Sequence, residues 1–323
     1  MKRRDFIRGI AASWLTPAAR AQEPPPRVAV LSLHSIRDEG KVVASFLSGL
    51  RGLGYFKGLN VNVDIRYADG DPTQLARFAK ELVILKPNVA LATSANPASA
   101  LKNAAPDLPI VCPSLSAAVL PSFAAGYARP GGSVTGLASS VEGMVPKLLE
   151  LAIDIVPGIA RIGFLCNPAG ASMALFAEQI EAAARARGVT MLMQEARTPD
   201  DFAPAYDAFA KQQVQAVIVP ASGLFVTQGA RLAELALIAR LPTFFPDARG
   251  VEAGGLASYG VDLRENYRLG AGYVGKILKG AKPRDLPIAF PIKLVLAINL
   301  RTAKALGLTV PESMIGLADA VIE

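Results

Sequence analysis

Histidine occurs once in this chain, at His34, tryptophan once and cysteine twice. A single histidine, without a Gly-x-Ser-x-Gly elbow, leaves little from which to build a nucleophile–base centre. Cys112 and Cys166 have neither CxxC nor metal-ligand spacing, so no metal site is expected. Each follows an apolar run and reads as a small buried hydrophobe near a strand end. Asn167-Pro168-Ala169-Gly170 opens a helical segment but lacks a Walker lysine and a GxGxxG pattern, which argues against nucleotide binding and leaves no cofactor implied. No stretch reaches the ~18 uninterrupted apolar residues of a membrane span. The chain therefore reads as soluble.

Strong charge is missing too, once the N-terminus is set apart. Lys2-Arg3-Arg4-Asp5-Phe6-Ile7-Arg8 resembles a twin-arginine export signal, followed by a short apolar stretch and the small-x-small site Ala19-Arg20-Ala21. The alternative is a basic amphipathic helix that stays attached. Five bases and one acid lie in residues 1–21, so the net charge of +7 falls to +3 beyond them. That is too weak and dispersed for a nucleic-acid partner. No cysteine follows the cleavage site, so the expected product is exported, unlipidated and monomeric.

What is present is α/β alternation. Hydrophobic residues make up 51% of 323 positions, enough for two cores of ~140 residues each. Val28–Leu33 reads as a strand, and Val42, Val43, Phe46, Leu47 and Leu50 follow at helical spacing. Val61–Ile65 then alternates as a strand, with a second helix and Val89–Ala92 after it. The order recurs in Arg161–Leu165, Val189–Met193, Ala216–Val219 and Leu241–Phe244. Val61 and Val189 are 128 positions apart, Val89 and Val217 also 128, and Leu108 and Leu241 133. Leu137-Ala138-Ser139 pairs in the same way with Leu256-Ala257-Ser258. Such regular offsets argue for two copies of one unit: two Rossmann-like lobes with parallel sheets, joined by a hinge. The expected lobes are residues 27–138 with 261–287, and 139–260 with 288–323.

Several segments carry a family resemblance. Arg129-Pro130-Gly131-Gly132-Ser133-Val134-Thr135-Gly136, Ala253-Gly254-Gly255-Leu256-Ala257-Ser258-Tyr259-Gly260, Lys276 to Pro287 and Asn299 to Leu308 are similar to motifs of the ABC-importer substrate-binding group related to tryptophan- and tyrosine-binding proteins. The resemblance spans about residues 27–323. It implies the type I periplasmic-binding-protein fold, a periplasmic location, uptake rather than catalysis, a small-molecule ligand and an ABC permease of the inner membrane as partner. A sensory binding protein for a membrane receptor would share the fold and its closure, and a hydrolytic enzyme is the remaining alternative. The match weakens where ligands sit: the family's Gly-Asp-Pro and Ala-Asp-Pro segments correspond here to Ser116-Ala117-Ala118 and Ala221-Ser222-Gly223.

In open α/β sheets, ligands lie beyond the carboxyl ends of the strands. The candidate ligand contacts are therefore Ser32, Leu33, His34, Ser94, Ala95, Ser114, Ser116, Asn167, Ser222, Phe245 and Asp247. Ser94-Ala95-Asn96 opens a helix, where N–H groups would hold a carboxylate or serve only as an ordinary cap. Asp247 is the one acid left at a matching strand end. It would pair with an ammonium or merely cap the next segment. With the other two acids replaced, the expected solute is less cationic than a free amino acid: an aromatic or aliphatic carboxylate before an amino acid. His34 is expected to hydrogen-bond rather than catalyse.

Overall fold

The computed structural model describes residues 24–139, 143–170, 172–290 and 293–323; the signal-like segment 1–21 lies outside them. The first half runs β1 (Arg27–Ser32), α1 (Ile36–Gly52), β2 (Asn62–Tyr67), α2 (Pro72–Ile84), β3 (Val89–Ala92), α3 (Ala95–Ala104), β4 (Ile110–Leu115) and β5 (Val134–Ala138). The second runs α4 (Met144–Ile155), β6 (Arg161–Cys166), α5 (Met173–Ala186), β7 (Thr190–Glu195), α6 (Phe202–Lys211), β8 (Ala216–Ile218), α7 (Gly223–Thr227), α8 (Gly229–Ile238), β9 (Thr243–Phe245), α9 (Ala248–Glu252) and β10 (Ala257–Val261). The chain closes with α10 (Leu263–Leu278), β11 (Leu294–Asn299), α11 (Leu300–Leu306), α12 (Glu312–Leu317) and β12 (Ala320–Ile322).

The two sheets repeat one topology. The first is ordered β2-β1-β3-β4-β5, and the second contains β7-β6-β8-β9-β10, extended by β11 and β12. Every pairing is parallel except that of β11 with β10. These are the two Rossmann-like units that the offsets in the sequence predict.

A strand covered on both faces needs apolar residues at successive positions, and β1 meets that demand. Val28 and Val30 pack with Phe46 of α1 and Tyr267 and Val274 of α10. Ala29 and Leu31, one residue out of phase, pack with Leu82 of α2 and Leu101 of α3. The helix starts are equally local. Ser35 accepts from the Asp38 N–H at the head of α1, and Asp71 accepts from Thr73 and Gln74 at the head of α2, with Pro72 in the first turn.

Three connections join the sheets: from β5 to α4, from β10 to α10, and from Ala289 to β11. After β10 the chain returns to pack α10 on the first core, then leaves again for β11. Asn266, 2% exposed, anchors this return. Its Nδ2 donates to the Pro113 and Ala138 carbonyls at 3.1 and 3.0 Å, tying together the ends of β4 and β5. Asn266→Leu strands both acceptors, at roughly 1–3 kcal/mol each. The urea midpoint should fall with an unchanged m-value.

Candidate functional site

The carboxyl ends of the two sheets face each other. The imidazole of His34, just past β1, lies against Gly223 at the head of α7: a methyl group placed on Gly223 would sit 3.6 Å from His34 Cε1. Ser116, past β4, meets Ser172 at the head of α5, Oγ to Oγ at 3.4 Å. Farther out, Glu252 of α9 accepts from Lys41 of α1 and Arg264 of α10, each at 2.6 Å. Both partners of Glu252 sit on helices packed against the first core.

On the first side, Ser32 Oγ accepts from the His34 N–H at 3.0 Å and donates to Glu39 Oε2 at 2.6 Å. Glu39, in the first turns of α1, is 3% exposed. Burial is the main reason the His34 pKa lies below its ordinary value; the Glu39 carboxylate opposes that shift and Arg249 adds to it. The ring is thus neutral at neutral pH, and its buried Nδ1 has no hydrogen-bond partner. Thr93 Oγ1, at the end of β3, is also buried and unpartnered. The Thr93 carbonyl accepts from the Tyr267 hydroxyl at 2.6 Å.

On the second side, Asn167 Nδ2 donates to Ser222 Oγ at 3.0 Å while its Oδ1 accepts from the Ala169 N–H. Asp247 caps α9 and grips Arg249 with both oxygens, at 2.9 Å to Nε and 2.9 Å to Nη2. Burial acts to raise the Asp247 pKa, but the Arg249 charge and hydrogen bonds outweigh it and hold the carboxyl below its ordinary value.

The structure thus brings Ser32 and His34 of the first half towards Ser222 and its neighbour Gly223 in the second, with Asn167 bonded to Ser222. Ser94 caps α3 without a side-chain hydrogen bond, and Ala95 packs against the first core. Leu33 packs there too, while Ser114 is half-buried in β4. Phe245 is 3% exposed and belongs to the second core, its ring filling the space that side chains at Gly250 and Gly255 would need. Asp247 follows the second of its two readings: it caps α9, and Arg249 two residues later pairs with it. The space between the halves is not poor in acids, because Asp38, Glu252, Asp262 and Asp319 line it as well as Asp247. Glu39, bonded to Ser32, and Arg249 are the charged residues of these clusters that strand-end reasoning missed. An acid in the first turns of the helix after β1, and a base two residues after Asp247, were the available signals.

An open groove of about 870 Å3 spans both halves beside this cluster. Phe245 and Asp247 line it, as do Lys41, Arg249, Glu252 and Arg264; the other nine candidate residues do not. Among the described residues no group of three His, Cys, Asp or Glu is placed to hold a metal, and no helix is long and apolar enough to cross a membrane. Both cysteines are free and buried, and burial pushes the Cys112 thiol up to about 12.

Comparison with known proteins agrees with this geometry. The family described as ABC transporter substrate binding protein matches residues 27–322. A tyrosine-binding protein of Clostridioides difficile is 24% identical over 276 residues, covering 85% of this chain and 78% of the relative. Among solved structures, a conserved domain protein of Vibrio cholerae superimposes with a TM-score of 0.84 at 26% identity, over 92% of this chain and all of the other. An ABC domain from Streptococcus pneumoniae in complex with L-Trp also gives 0.84, at 24% identity, over 93% of this chain and all of the other.

Proposed function

The chain belongs to the ABC transporter substrate binding protein family, and from that premise we propose that it is the exported, non-catalytic receptor of an importer. It holds a small organic solute between its lobes in the periplasm and presents it to an ABC permease of the inner membrane. The observation that carries this reading is the pair of buried polar clusters facing each other at the strand ends, with His34 Nδ1 and Thr93 Oγ1 unpartnered. A buried polar atom without a partner costs free energy, and a bound solute would supply the missing hydrogen bonds.

The solute class is an amino acid or an aromatic or aliphatic carboxylate. The name of the Clostridioides relative and the tryptophan in the pneumococcal structure lend support to aromatic amino acids. The N–H groups at the head of α3 are the proposed carboxylate seat, and Ser32, His34, Ser116, Asn167 and Ser222 the proposed polar contacts. The closing bodies are residues 27–138 with 261–287, and 139–260 with 288–323. A ligand touching both would shift an open–closed equilibrium by its differential affinity.

A thermal-shift screen over amino acids, aromatic acids and sugars, followed by X-ray scattering, tests this reading. Stabilisation with a smaller radius of gyration and no chemical product is expected. A flat screen, or turnover of any compound, would remove the proposal.

Closure also predicts a role for Glu252. The Lys41–Glu252–Arg264 bridge joins the two lobes but is largely exposed, with side-chain exposures of 70%, 33% and 51%. Exposed pairs contribute at most about 1 kcal/mol. Glu252→Gln should therefore weaken solute binding by up to about 5-fold, with the difference vanishing in high salt. Calorimetry at two ionic strengths checks this.

A further inference from the structure

We propose that the amino end of the first sheet, the end away from the second lobe, is a docking surface for an anionic phospholipid membrane. Five of the twelve exposed large hydrophobic residues lie there: Leu53, Phe56, Leu59, Ile84 and Leu85. The two turns that carry them flank the start of β1. The Asn62 N–H donates to the Pro26 carbonyl on one side, and the Arg27 N–H donates to Asn88 Oδ1 on the other. The turn after α1 is held in shape by Asn60, which accepts from the Phe56 N–H and donates to the Gly54 carbonyl. Leu59 and Ile84 remain 78% and 75% exposed.

Charge gathers at the same end. The turns and last helical turns around β1 to β5 hold Arg51, Lys57, Lys86, Lys102 and Arg129. Helix α10 runs alongside α1, since β-carbons on Gly49 and Gly275 would meet Ala271 and Leu53 respectively. Its last turn and the segment beyond therefore add Lys276, Lys279, Lys282 and Arg284. The acids of these segments are Glu81, Asp107 and Asp285. Nine bases thus stand against three acids, whereas the remaining described residues hold twenty bases and twenty-one acids. Two of the three acids are already paired, Glu81 with Arg66 and Arg77 and Asp285 with Arg284. Folding collects at one end a charge that is dispersed along the chain.

Apolar side chains among lysines and arginines are the composition of a surface that rests in a headgroup layer. The bases meet lipid phosphates and the apolar tips enter the acyl boundary. Solute enters at the opposite ends of the same strands, so docking here leaves the cleft uncovered.

The test is sedimentation with vesicles of phosphatidylethanolamine and phosphatidylglycerol, with phosphatidylcholine vesicles as the neutral control. The protein is taken as recovered after export, because residues 1–21 are themselves basic and apolar. If it is not processed, the full chain with Lys2, Arg3, Arg4 and Arg8 changed to Gln takes its place. Binding should be confined to the anionic vesicles and fade as ionic strength rises. Lys57→Gln with Lys279→Gln should weaken it by about 25-fold, at about 5-fold per base. Phe56→Ser with Leu59→Ser should weaken it by about 10-fold or more. Lys211→Gln with Lys304→Gln, exposed lysines of the second half, should leave it unchanged. All three pairs are exposed and should keep the melting temperature within about 2 °C. No binding, equal binding to phosphatidylcholine, an equal loss from the second-half pair or no loss from the apolar pair each overturns the proposal. The solute-binding reading is decided separately, by the solute screen.

Discussion

Gly260→Ala is expected to lower the melting temperature by roughly 8–16 °C, the counterpart of about 4 kcal/mol in a domain of this size. Gly260 lies in β10 where the strand passes the end of β9. A β-carbon there would come 1.7 Å from the Pro246 carbonyl oxygen. No rotamer relieves a clash with backbone, so one strand must move and the ladder beside the inter-lobe connection must break. Gly136 shows the same constraint in β5, where a β-carbon would meet the Cys112 carbonyl oxygen at 1.9 Å and the φ of +147° adds strain. Gly272 is the internal control. It lies within α10, and a β-carbon added there would meet nothing within 4 Å, so Gly272→Ala should stabilise by about 0.5–1 kcal/mol through helix propensity. Thermal unfolding of the three variants should separate them by sign as well as by size. Equal, small effects would mean that the close strand approaches are not maintained in solution.

The closing strands also show where sequence reasoning succeeds and where it slips. Periodicity and offsets were sufficient for the doubled α/β unit because buried parallel strands demand apolar residues on both faces, as Val28 to Leu31 illustrate. Register is a finer matter. With Leu108 set against Leu241, the ladders pair Val111 with Thr135 and Phe244 with Ala257. Ala257 therefore corresponds to Thr135 rather than to Ala138, the residue that local similarity matched with it. The similarity reflects common small and apolar residues, whereas register follows the neighbouring strand. The antiparallel β11 had no counterpart in the first half, and no internal repeat could announce it.

The site was legible only in part for a related reason. Strand ends can be counted along a sequence, and that places Ser32, His34, Asn167 and Ser222 at facing edges. Charge pairing depends on which side chains packing brings together. Glu39 lies in the first turns of α1, away from any strand end, yet it is 3% exposed and accepts from Ser32. Asp247 stood out because it was the last acid at a strand end. Its partner lay two residues away, inside the turn that Asp247 caps.

That pair carries the other large effect. Arg249→Met should destabilise the ligand-free protein by about 3 kcal/mol, the lower end of the cost of breaking a buried ion pair, because the Arg249 side chain retains 28% exposure and Asp247 14%. The loss comes from the carboxylate left behind, so Asp247→Asn on the Arg249→Met background should recover most of it. A double-mutant cycle measures that recovery. The pH dependence follows from the same geometry. Asp247 titrates below its ordinary value in the folded chain, so its contribution is complete above the unfolded pKa of about 3.9. It disappears as pH falls through the lower folded value. Asp247→Asn should therefore flatten the acid limb of the stability profile below about pH 4 while lowering stability at neutral pH. Arg249 also stands close enough to His34 to help keep the ring neutral. With Arg249→Met the His34 pKa should rise, which nuclear magnetic resonance can follow directly because the chain has no other histidine. An unmoved His34 titration would place Arg249 outside the polar cluster and separate the ion pair from the solute pocket.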